Sequence, residues 1–414
     1  MRNRQMLHKI NVKNESYFGR IIVLTGARQT GKTTLVKKAF PDYKYISIED
    51  PITVSEFKNL TSSQWNSLYP FAILDEIQKE PQMVESIKAV YDQFSTPKYI
   101  LLGSSQMLLL EKVRESLAGR CIILEMFPLT LPEMMTNSFS SEVKRSHFQE
   151  LLHDGNIVAE LPIRLYGNHP KTIDVFSKYL QFGGYPAISD DSISDVDKRE
   201  WLKNYVKTYL ERDIRDLAEF RRFEPFTKVQ KLIAINTAQL INYSKIASET
   251  GVSSKTVQKF IEYLNISYQI LVLQPWSRNS AKRLVKSPKV HYLDIGVMRA
   301  VLQKRDSLNG HEFETAVVAE IYKQAKLSDA DISFYHLRTL DGREVDLLME
   351  TEYGYIAIEV KQSENVRSVD AKHLKGLEDI LDKPILHKFV LSNDLSLKDL
   401  GDGVVGMSAV QFLT

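Results

Sequence analysis

One stretch near the N-terminus limits what this chain can fold into more than any other. Residues 21–24 are apolar and favour a β-strand, and they lead into Gly-x-x-x-x-Gly-Lys-Thr at residues 26–33, which a helix-competent segment follows at 35–40. A strand, a glycine-rich loop and a helix in this order form a phosphate-binding loop. Glycine lets the backbone wrap closely around a polyphosphate, so that successive N–H groups point at its oxygens. The alternative is a glycine-rich turn that matches the motif by chance.

The motif predicts a function for each of its positions. Lys32 would reach the β and γ phosphates of a nucleotide, and the Thr33 hydroxyl would hold Mg²⁺. The start of the following helix adds its partial positive charge. We therefore predict that ATP and Mg²⁺ are the cofactors. The predicted nucleotide-binding residues are Gly26, Ala27, Arg28, Gln29, Thr30, Gly31, Lys32, Thr33 and Thr34.

A second apolar segment, residues 69–76, ends on the acidic pair Asp75 and Glu76. The carboxyl ends of parallel strands point at the bound ligand in sheets of this kind. Asp75 is therefore placed to coordinate Mg²⁺ through water, and Glu76 to orient or deprotonate the attacking water. Without the phosphate loop upstream, such a pair would more often be a solvated turn.

Further polar positions follow in chain order. Residues 99–105 form a predicted strand with Ser104 and Ser105 at its tip. A hydroxyl there could sense the γ phosphate or hold the attacking water, with Ser104 as the catalytic candidate, or it could cap the next helix. Arg114 and Arg120 then precede a last predicted strand at residues 121–126.

By this order of elements, residues 15–190 resemble the AAA+ ATPases. The resemblance implies that an arginine just before the last core strand completes the active site of a neighbouring subunit in a homo-oligomer. Arg120 is the candidate, with Arg114 behind it. Arg120 could equally pair with a surface carboxylate, which is the commoner fate of an arginine. A second sensor arginine is missing from the turn at Gly183 and Gly184.

Composition sets limits on the remainder of the chain. A length of 414 residues predicts two or three domains, and the net charge of +2 argues neither for nor against nucleic acid. The only cysteine, Cys121, excludes a disulfide framework and a cysteine-based zinc site. Neither a signal peptide nor a membrane span is apparent, so we expect a cytoplasmic protein without membrane association.

The middle of the chain carries a helix-turn-helix pattern over residues 242–264. Gly251 makes the turn, and Ser253 is the predicted cap of the second helix. Two predicted strands, 270–273 and 290–293, bracket a basic connection, which gives a winged-helix pattern. That connection carries Arg278, Lys282, Arg283, Lys286 and Lys289.

Two interpretations of the winged-helix pattern stay open. In the first, Lys255, Lys259 and the basic wing contact the phosphates of DNA, which would make DNA a partner. In the second, the segment is a packing module without a nucleic-acid ligand.

The last quarter of the chain contains Asp346, followed by Glu359 and Lys361 at the end of the next predicted strand. Alternation along a strand places Glu359 and Lys361 on one face. Adjacent strands could then aim Asp346 and Glu359 at a shared hard cation, and Lys361 would hold the attacking water or offset phosphate charge. Glu314, or with less support Glu320, could supply a further carboxylate from the preceding helix.

This pattern resembles the PD-(D/E)xK nuclease superfamily. The resemblance implies Mg²⁺ or Mn²⁺ in the C-terminal site and cleavage of DNA. Short motifs of this kind are common by chance. A nuclease fold kept as a scaffold and a surface cluster of charges are therefore alternatives.

Taken whole, the chain resembles prokaryotic ATP-binding proteins that combine an AAA-type domain, a winged-helix segment and a nuclease-like C-terminal domain of unknown function. The predicted fold class is α/β. The predicted division is a P-loop AAA+ ATPase domain at 1–190, a helical lid and winged-helix segment at 191–309, and a restriction-endonuclease-like domain at 310–414.

The leading hypothesis is a Mg²⁺-dependent ATPase acting on DNA, with a metal-dependent nuclease domain. The alternative is an ATP-gated switch or interaction protein whose nuclease-like domain binds a partner without cutting. The predicted catalytic residues are Glu76, Ser104, Arg120, Asp346, Glu359 and Lys361. The predicted metal ligands are Thr33, Asp75, Glu314, Asp346 and Glu359.

Overall fold

The computed structural model describes residues 1–103, 116–153, 169–210, 223–278, 287–339 and 341–414. Two β-sheets organise this part of the chain, one near the N-terminus and one that runs from the middle to the C-terminus. Several residues named above lie outside the described ranges. They are Ser104, Ser105, Arg114, Lys282, Arg283 and Lys286.

The N-terminal sheet is entirely parallel. Its strands are β1 (Ile21–Thr25), β2 (Lys44–Ser47), β3 (Phe71–Asp75), β4 (Lys98–Leu102) and β5 (Ile122–Glu125). They lie in the order β2-β3-β4-β1-β5. Every residue of β1 is buried, with Ile21 and Val23 in one hydrophobic core and Ile22 and Leu24 in another. Strand alternation therefore serves two cores, as in parallel sheets covered on both faces.

Helices cover both faces of this sheet. Met6 and Ile10 of the first helix and Leu35 of the second join one core, while Trp65 and Ile87 of later helices join the other. The helices of this part are α1 (Gln5–Glu15), α2 (Lys32–Ala39), α3 (Pro51–Phe57), α4 (Ser62–Leu68), α5 (Pro81–Gln93), α6 (Leu131–Met134) and α7 (His147–His153).

The middle of the chain is mainly helical and contains the predicted helix, turn and helix. Gly251 ends the first helix of that pair in the left-handed region, and the Ser253 side chain caps the second. The elements are α8 (His169–Phe182), α9 (Asp195–Tyr205), a π-helical turn (Val206–Leu210), α10 (Glu224–Ile235), β6 (Gln239–Leu240), α11 (Tyr243–Thr250), α12 (Ser254–Ile266), β7 (Ile270–Pro275), β8 (Lys289–Tyr292) and α13 (Ile295–Leu302).

The C-terminal part adds one long helix and most of the second sheet. Its elements are α14 (Gly310–Leu327), β9 (Ser333–Arg338), β10 (Glu344–Glu350), β11 (Tyr355–Lys361), β12 (Ile385–Ser392), β13 (Lys398–Asp399), β14 (Val404–Ser408) and α15 (Ala409–Leu413). The strand order is β13-β14-β12-β11-β10-β9-β7-β8-β6, and β7 pairs in parallel with β9. The middle and C-terminal parts therefore share one sheet, in which β7 and β9 lie between β8 and β10.

Helix α14 joins the three parts of the molecule. Its Glu320 accepts a hydrogen bond from the Leu131 N–H at 2.6 Å and pairs with Lys323 at 2.7 Å. Lys323 also lies 3.2 Å from the Tyr179 hydroxyl of α8. Glu320 thus serves this buried junction and forms no part of the acidic cluster around Asp346. Among the described residues, no helix is long and apolar enough to cross a bilayer.

Candidate functional site

The predicted phosphate loop lies between the end of β1 and the start of α2. Gly26 and Gly31 have φ angles of 143° and 93°, which side-chain-bearing residues rarely adopt. A Cβ atom on Gly26 would lie 2.1 Å from the Met126 carbonyl oxygen, so the close approach to the chain after β5 requires glycine here. Gln29 is also left-handed, with φ of 63°. The loop therefore has the tight backbone that the motif predicts.

Lys32 is buried at the first position of α2, with 7% of its surface exposed. Its Nζ atom donates to the carbonyl oxygens of Gly26 and Ala27, each at 2.8 Å. Two main-chain dipoles of the loop thus solvate the ammonium group. Phosphate oxygens can replace such neutral acceptors when a nucleotide binds.

Asp75, at the end of β3, lies directly beside Thr33. The Thr33 hydroxyl donates to Asp75 Oδ2 at 2.7 Å, and the Tyr45 hydroxyl donates to the same oxygen at 2.9 Å. Burial and the charge of Asp75 raise the pKa of Tyr45, so the phenol stays a donor. A hydroxyl and a carboxylate side by side are oxygen donors that suit Mg²⁺, so these residues fit the predicted cofactor.

Glu76 follows Asp75 in the left-handed region, with φ of 55°. This conformation is rare for a non-glycine residue and is concentrated at functional sites. The Glu76 N–H donates to Asp75 Oδ1 at 3.1 Å, and its carboxylate accepts a hydrogen bond from Gln78. The acidic pair is therefore held at the end of β3, as predicted, with the Glu76 carboxylate partly exposed.

Arg120 makes a two-pronged ion pair with Asp92 of α5. Its Nε atom lies 2.7 Å from Asp92 Oδ1, and Nη2 lies 3.2 Å from Oδ2. Both side chains are partly exposed. This is the surface pairing that stood as the alternative for Arg120, and its action on a neighbouring subunit stays a prediction.

The C-terminal acidic residues surround a lysine from the middle of the chain. Lys289, the first residue of β8, has 1% of its surface exposed. Its Nζ atom lies 2.6 Å from Glu314 Oε1, 2.9 Å from Asp346 Oδ1 and 3.3 Å from Glu344 Oε1. We call Lys289, Glu314, Glu344 and Asp346 the lysine-centred cluster. An ammonium group thus lies between the carboxylates predicted to bind a metal.

The protonation of the cluster follows from burial and from these charges. Burial disfavours the charged forms of Lys289 and Asp346, but their attraction outweighs it, so that the pKa of Lys289 is raised and that of Asp346 is lowered. Burial, followed by the charge of Asp346, raises the pKa of Glu314 to about 7. The central pair is therefore ionic at neutral pH.

Glu359 and Lys361 lie on the same face of β11, as strand alternation predicts. Lys361 Nζ donates to Glu359 Oε1 at 2.7 Å, and His373 Nδ1 lies 3.9 Å from the same oxygen. Burial and the charge of Asp346 raise the pKa of Glu359. The other oxygen of Asp346 accepts the Val360 N–H at 2.9 Å. Lys361 is thus paired with the carboxylate beside which it was predicted to act.

This arrangement does not fit a metal ion. Lys289 already lies within ion-pair distance of both Glu314 and Asp346, and a second cation there would be repelled. Within the described ranges, no group of three or more His, Cys, Asp or Glu side chains is placed to hold a metal. Of the predicted ligands, Glu314 and Asp346 hold the ammonium group of Lys289, and Glu359 holds that of Lys361.

Among the described residues, the basic side chains predicted to contact DNA divide into two sets. Lys255 and Lys259 are exposed on α12, opposite its buried face. Arg278 instead donates to the main-chain oxygens of Ile380 and Asp379 at 2.9 and 3.1 Å, and Lys289 is buried in the lysine-centred cluster. The prediction that Lys289 contacts DNA phosphates is therefore wrong, because packing has turned this side chain inward.

Comparison with known families divides the chain into three matched ranges. Residues 19–135 match a family described as an AAA domain. Residues 173–308 match a domain of unknown function, DUF8612, and residues 309–411 match another, DUF4143. The first match includes the phosphate loop and all five strands of the parallel sheet, so the N-terminal part is similar to AAA domains in both sequence and fold.

Proteins that are similar over most of this chain occur in bacteria and archaea. An uncharacterized protein of Mycobacterium tuberculosis is 25% identical over 407 residues, covering 95% of this chain and 81% of that protein. One of Methanocaldococcus jannaschii is 25% identical over 402 residues, covering 91% and 82%. Among solved structures, the Walker-type ATPase of Pyrococcus abyssi has a TM-score of 0.45 and 15% identity, covering 73% of this chain and 95% of that one.

Proposed function

We propose that this protein is a Mg²⁺-dependent ATPase that works as a nucleotide-gated switch. The contact between the Thr33 hydroxyl and Asp75 at 2.7 Å carries the proposal, because it brings together two oxygen donors from separate elements beside Lys32. These donors would hold Mg²⁺, which offsets the charge of the β and γ phosphates.

The residues of the loop supply the remaining steps. Lys32 would exchange the carbonyl oxygens of Gly26 and Ala27 for phosphate oxygens. Glu76 would release Gln78 and orient or deprotonate the water that attacks the γ phosphate. Ser104 remains a proposed sensor outside the described residues.

The decisive experiment measures phosphate release and nucleotide binding on the same samples. We expect Glu76→Gln to lower ATP turnover by about 100-fold or more, because the base is lost, while ATP still binds. Gln78→Ala is the control, since it removes the hydrogen-bond partner of Glu76 and leaves the carboxylate. Wild-type protein without Mg²⁺-dependent phosphate release would contradict the proposal.

For the C-terminal part, we propose binding without cutting as the better-supported alternative. The lysine-centred cluster supports it, because Lys289 occupies the space where a nuclease would need a metal ion. The test is cleavage of linear, branched and single-stranded DNA with Mg²⁺ or Mn²⁺, with and without ATP, beside Glu359→Ala. Metal-dependent cleavage that disappears in Glu359→Ala would overturn this proposal and restore the nuclease hypothesis.

DNA binding through α12 is a second proposed function. It is supported by the exposure of Lys255 and Lys259 on one helix that is well packed on its other face. We expect Lys255→Ala and Lys259→Ala each to weaken binding to duplex DNA. In each variant the slope of the logarithm of the binding constant against the logarithm of the salt concentration should become shallower by about one. Lys228→Ala, on α10, is a control for total charge. Wild-type affinity for duplex DNA in both Lys255→Ala and Lys259→Ala would exclude this surface as the binding site.

We also propose domain boundaries at residues 190 and 309. We further propose a homo-oligomer in which Arg120 completes the active site of a neighbouring subunit. If Arg120 completes a site in a neighbouring subunit, only the oligomer is active. The ATPase activity per milligram should therefore rise with protein concentration, because a higher concentration favours the oligomer. Arg120→Ala would then remove the rise.

A further inference from the structure

The carbonyl groups of the phosphate loop are held in place by hydrogen-bond donors. Lys32 supplies the donor for Gly26 and Ala27, and the Thr30 hydroxyl donates to Ala27 as well, at 2.9 Å. These donors belong to the loop and to the first turn of α2. The Lys32 contacts must also break if Lys32 is to reach a phosphate.

Two other donors come from outside the loop. The Tyr205 hydroxyl, at the end of α9, donates to the Arg28 carbonyl oxygen at 3.2 Å. Arg4 Nη1, from the residue before α1, donates to the Thr30 carbonyl oxygen at 3.0 Å. Tyr205 lies beyond residues 19–135, in the range that matches a different family. Neither contact has to break for Lys32 to move.

By fixing the carbonyl groups of the loop, these contacts also fix the directions of the N–H groups that would bind a phosphate. A trans peptide is planar, so the C=O of one residue and the N–H of the next point in opposite directions. Tyr205, by holding the Arg28 oxygen, directs the Gln29 N–H to the opposite side, and Arg4 does the same for the Gly31 N–H. Loops of this kind bind phosphates through such main-chain N–H groups.

The position of the Tyr205 hydroxyl is itself well determined. The residue has 1% of its surface exposed, and its ring stacks on Trp201 with centroids 5.2 Å apart and planes inclined by 13°. The Tyr185 hydroxyl lies 2.9 Å from the Tyr205 hydroxyl. Packing of the middle segment, rather than the loop itself, therefore sets where this donor lies.

We infer that Tyr205 is a positioning residue for the nucleotide, through which docking of α9 controls the affinity of the phosphate loop. The inference rests on the proposed binding of ATP. It adds that a residue outside the AAA-type match orients a main-chain donor toward the polyphosphate.

The test is isothermal titration of the full-length protein with Mg²⁺-ATP and with inorganic pyrophosphate. Tyr205→Phe removes the hydroxyl and keeps the ring on Trp201. Tyr292→Phe is the matched control, because it removes another buried tyrosine hydroxyl, one that donates to the Gln230 carbonyl oxygen at 3.0 Å. We expect Tyr205→Phe to weaken both ligands by about 3- to 10-fold, as the loss of one hydrogen bond would. Tyr292→Phe should stay within about twofold of wild type.

Two further readouts separate positioning from a structural defect. Tyr205→Phe should raise KM for ATP with kcat unchanged, and its melting temperature should match that of wild type. Wild-type affinity in Tyr205→Phe, or an equal loss in Tyr292→Phe, would overturn the inference and leave the proposed ATPase intact. A wild-type protein that binds neither ATP nor pyrophosphate would overturn both.

Discussion

Two buried lysines occupy the centres of the two candidate sites, and their partners differ in kind. Lys32 donates to the main-chain carbonyls of Gly26 and Ala27. Lys289 lies among the carboxylates of Glu314, Glu344 and Asp346. Each ammonium group is nearly removed from solvent, at 7% and 1% exposure, so these partners decide what each can do.

A ligand can replace the carbonyl partners of Lys32, whereas the carboxylate partners of Lys289 are fixed. Neutral carbonyls hold an ammonium group less strongly than anionic phosphate oxygens do, so a nucleotide can take over Lys32. Buried carboxylates already neutralise Lys289, and removal of one partner of such a pair leaves an uncompensated buried charge. Lys289, which is paired with carboxylates, therefore stabilises the packing between β8 and the C-terminal part. Lys32, which donates to carbonyl oxygens, can instead bind an anionic ligand.

The largest effect is expected from the substitution Lys32→Met. ATP turnover should fall by about 100-fold or more, because the charge that contacts the β and γ phosphates is lost. The free energy of unfolding should fall by about 1–2 kcal/mol, because the two acceptors that lose their hydrogen bond from Lys32, the carbonyl oxygens of Gly26 and Ala27, are neutral. Phosphate release and urea denaturation measure the two quantities. Turnover near that of wild type would remove Lys32 from the catalytic site.

The same substitution at the other lysine, Lys289→Met, should show the reverse pattern. We expect a loss of about 3–5 kcal/mol in the free energy of unfolding, because the two buried carboxylates, Glu314 and Asp346, lose their cation. ATP turnover of the folded fraction should change little. Urea denaturation followed by circular dichroism measures the loss, and the double variant Lys289→Met, Asp346→Asn should recover part of it. A Lys289→Met variant as stable as wild type would contradict this stabilising role of Lys289.

A smaller effect tests whether a metal ion competes with Lys289. Without nucleotide, millimolar Mn²⁺ should shift the melting temperature of the wild type by less than about 1 °C, because a cation that does not bind the native state does not stabilise it. In Lys289→Met the same Mn²⁺ should raise the melting temperature, since the freed carboxylates can accept it. A clear Mn²⁺-dependent shift in wild type that Glu314→Gln removes would show that a metal displaces the lysine.

The smallest effect on stability is expected at the surface pair of Arg120 and Asp92. Arg120→Ala should leave the melting temperature unchanged within error, because exposed ion pairs contribute little. Asp92→Ala breaks the same pair and is the control. ATP turnover should fall in Arg120→Ala alone if the arginine acts on a neighbouring subunit, and in neither variant if it serves only the surface pair.

Sequence reasoning succeeded where local structure depends on neighbours in the chain. The glycine angles, the cap at Ser253 and the position of Asp75 at the end of β3 follow from patterns a few residues long. It missed Tyr45, which donates to Asp75, and Tyr205, which donates to the loop. Neither tyrosine belongs to a motif, although the position of Tyr45 in the strand next to β3 was a usable signal.

Lys289 shows why the rest could not be predicted. In the sequence it is one of several basic residues in a connection between strands, and DNA phosphates were a reasonable expectation for all of them. In the structure it lies 2.9 Å from Asp346, a residue 57 positions further along the chain. The contact exists because β7 pairs with β9 and so carries β8 to the acidic residues, which no local pattern encodes.

The sequence by itself determined the glycine-rich loop, the acidic pair at the end of β3 and the caps of the helix-turn-helix. These features depend on backbone conformations and hydrogen bonds between residues close in the chain. Only the tertiary structure decided which charges meet: Lys289 with the C-terminal carboxylates, Arg120 with Asp92, and Tyr205 with the loop. The physical reason is that a buried charge or donor takes the partner that packing brings to it, and packing is set by the whole sheet.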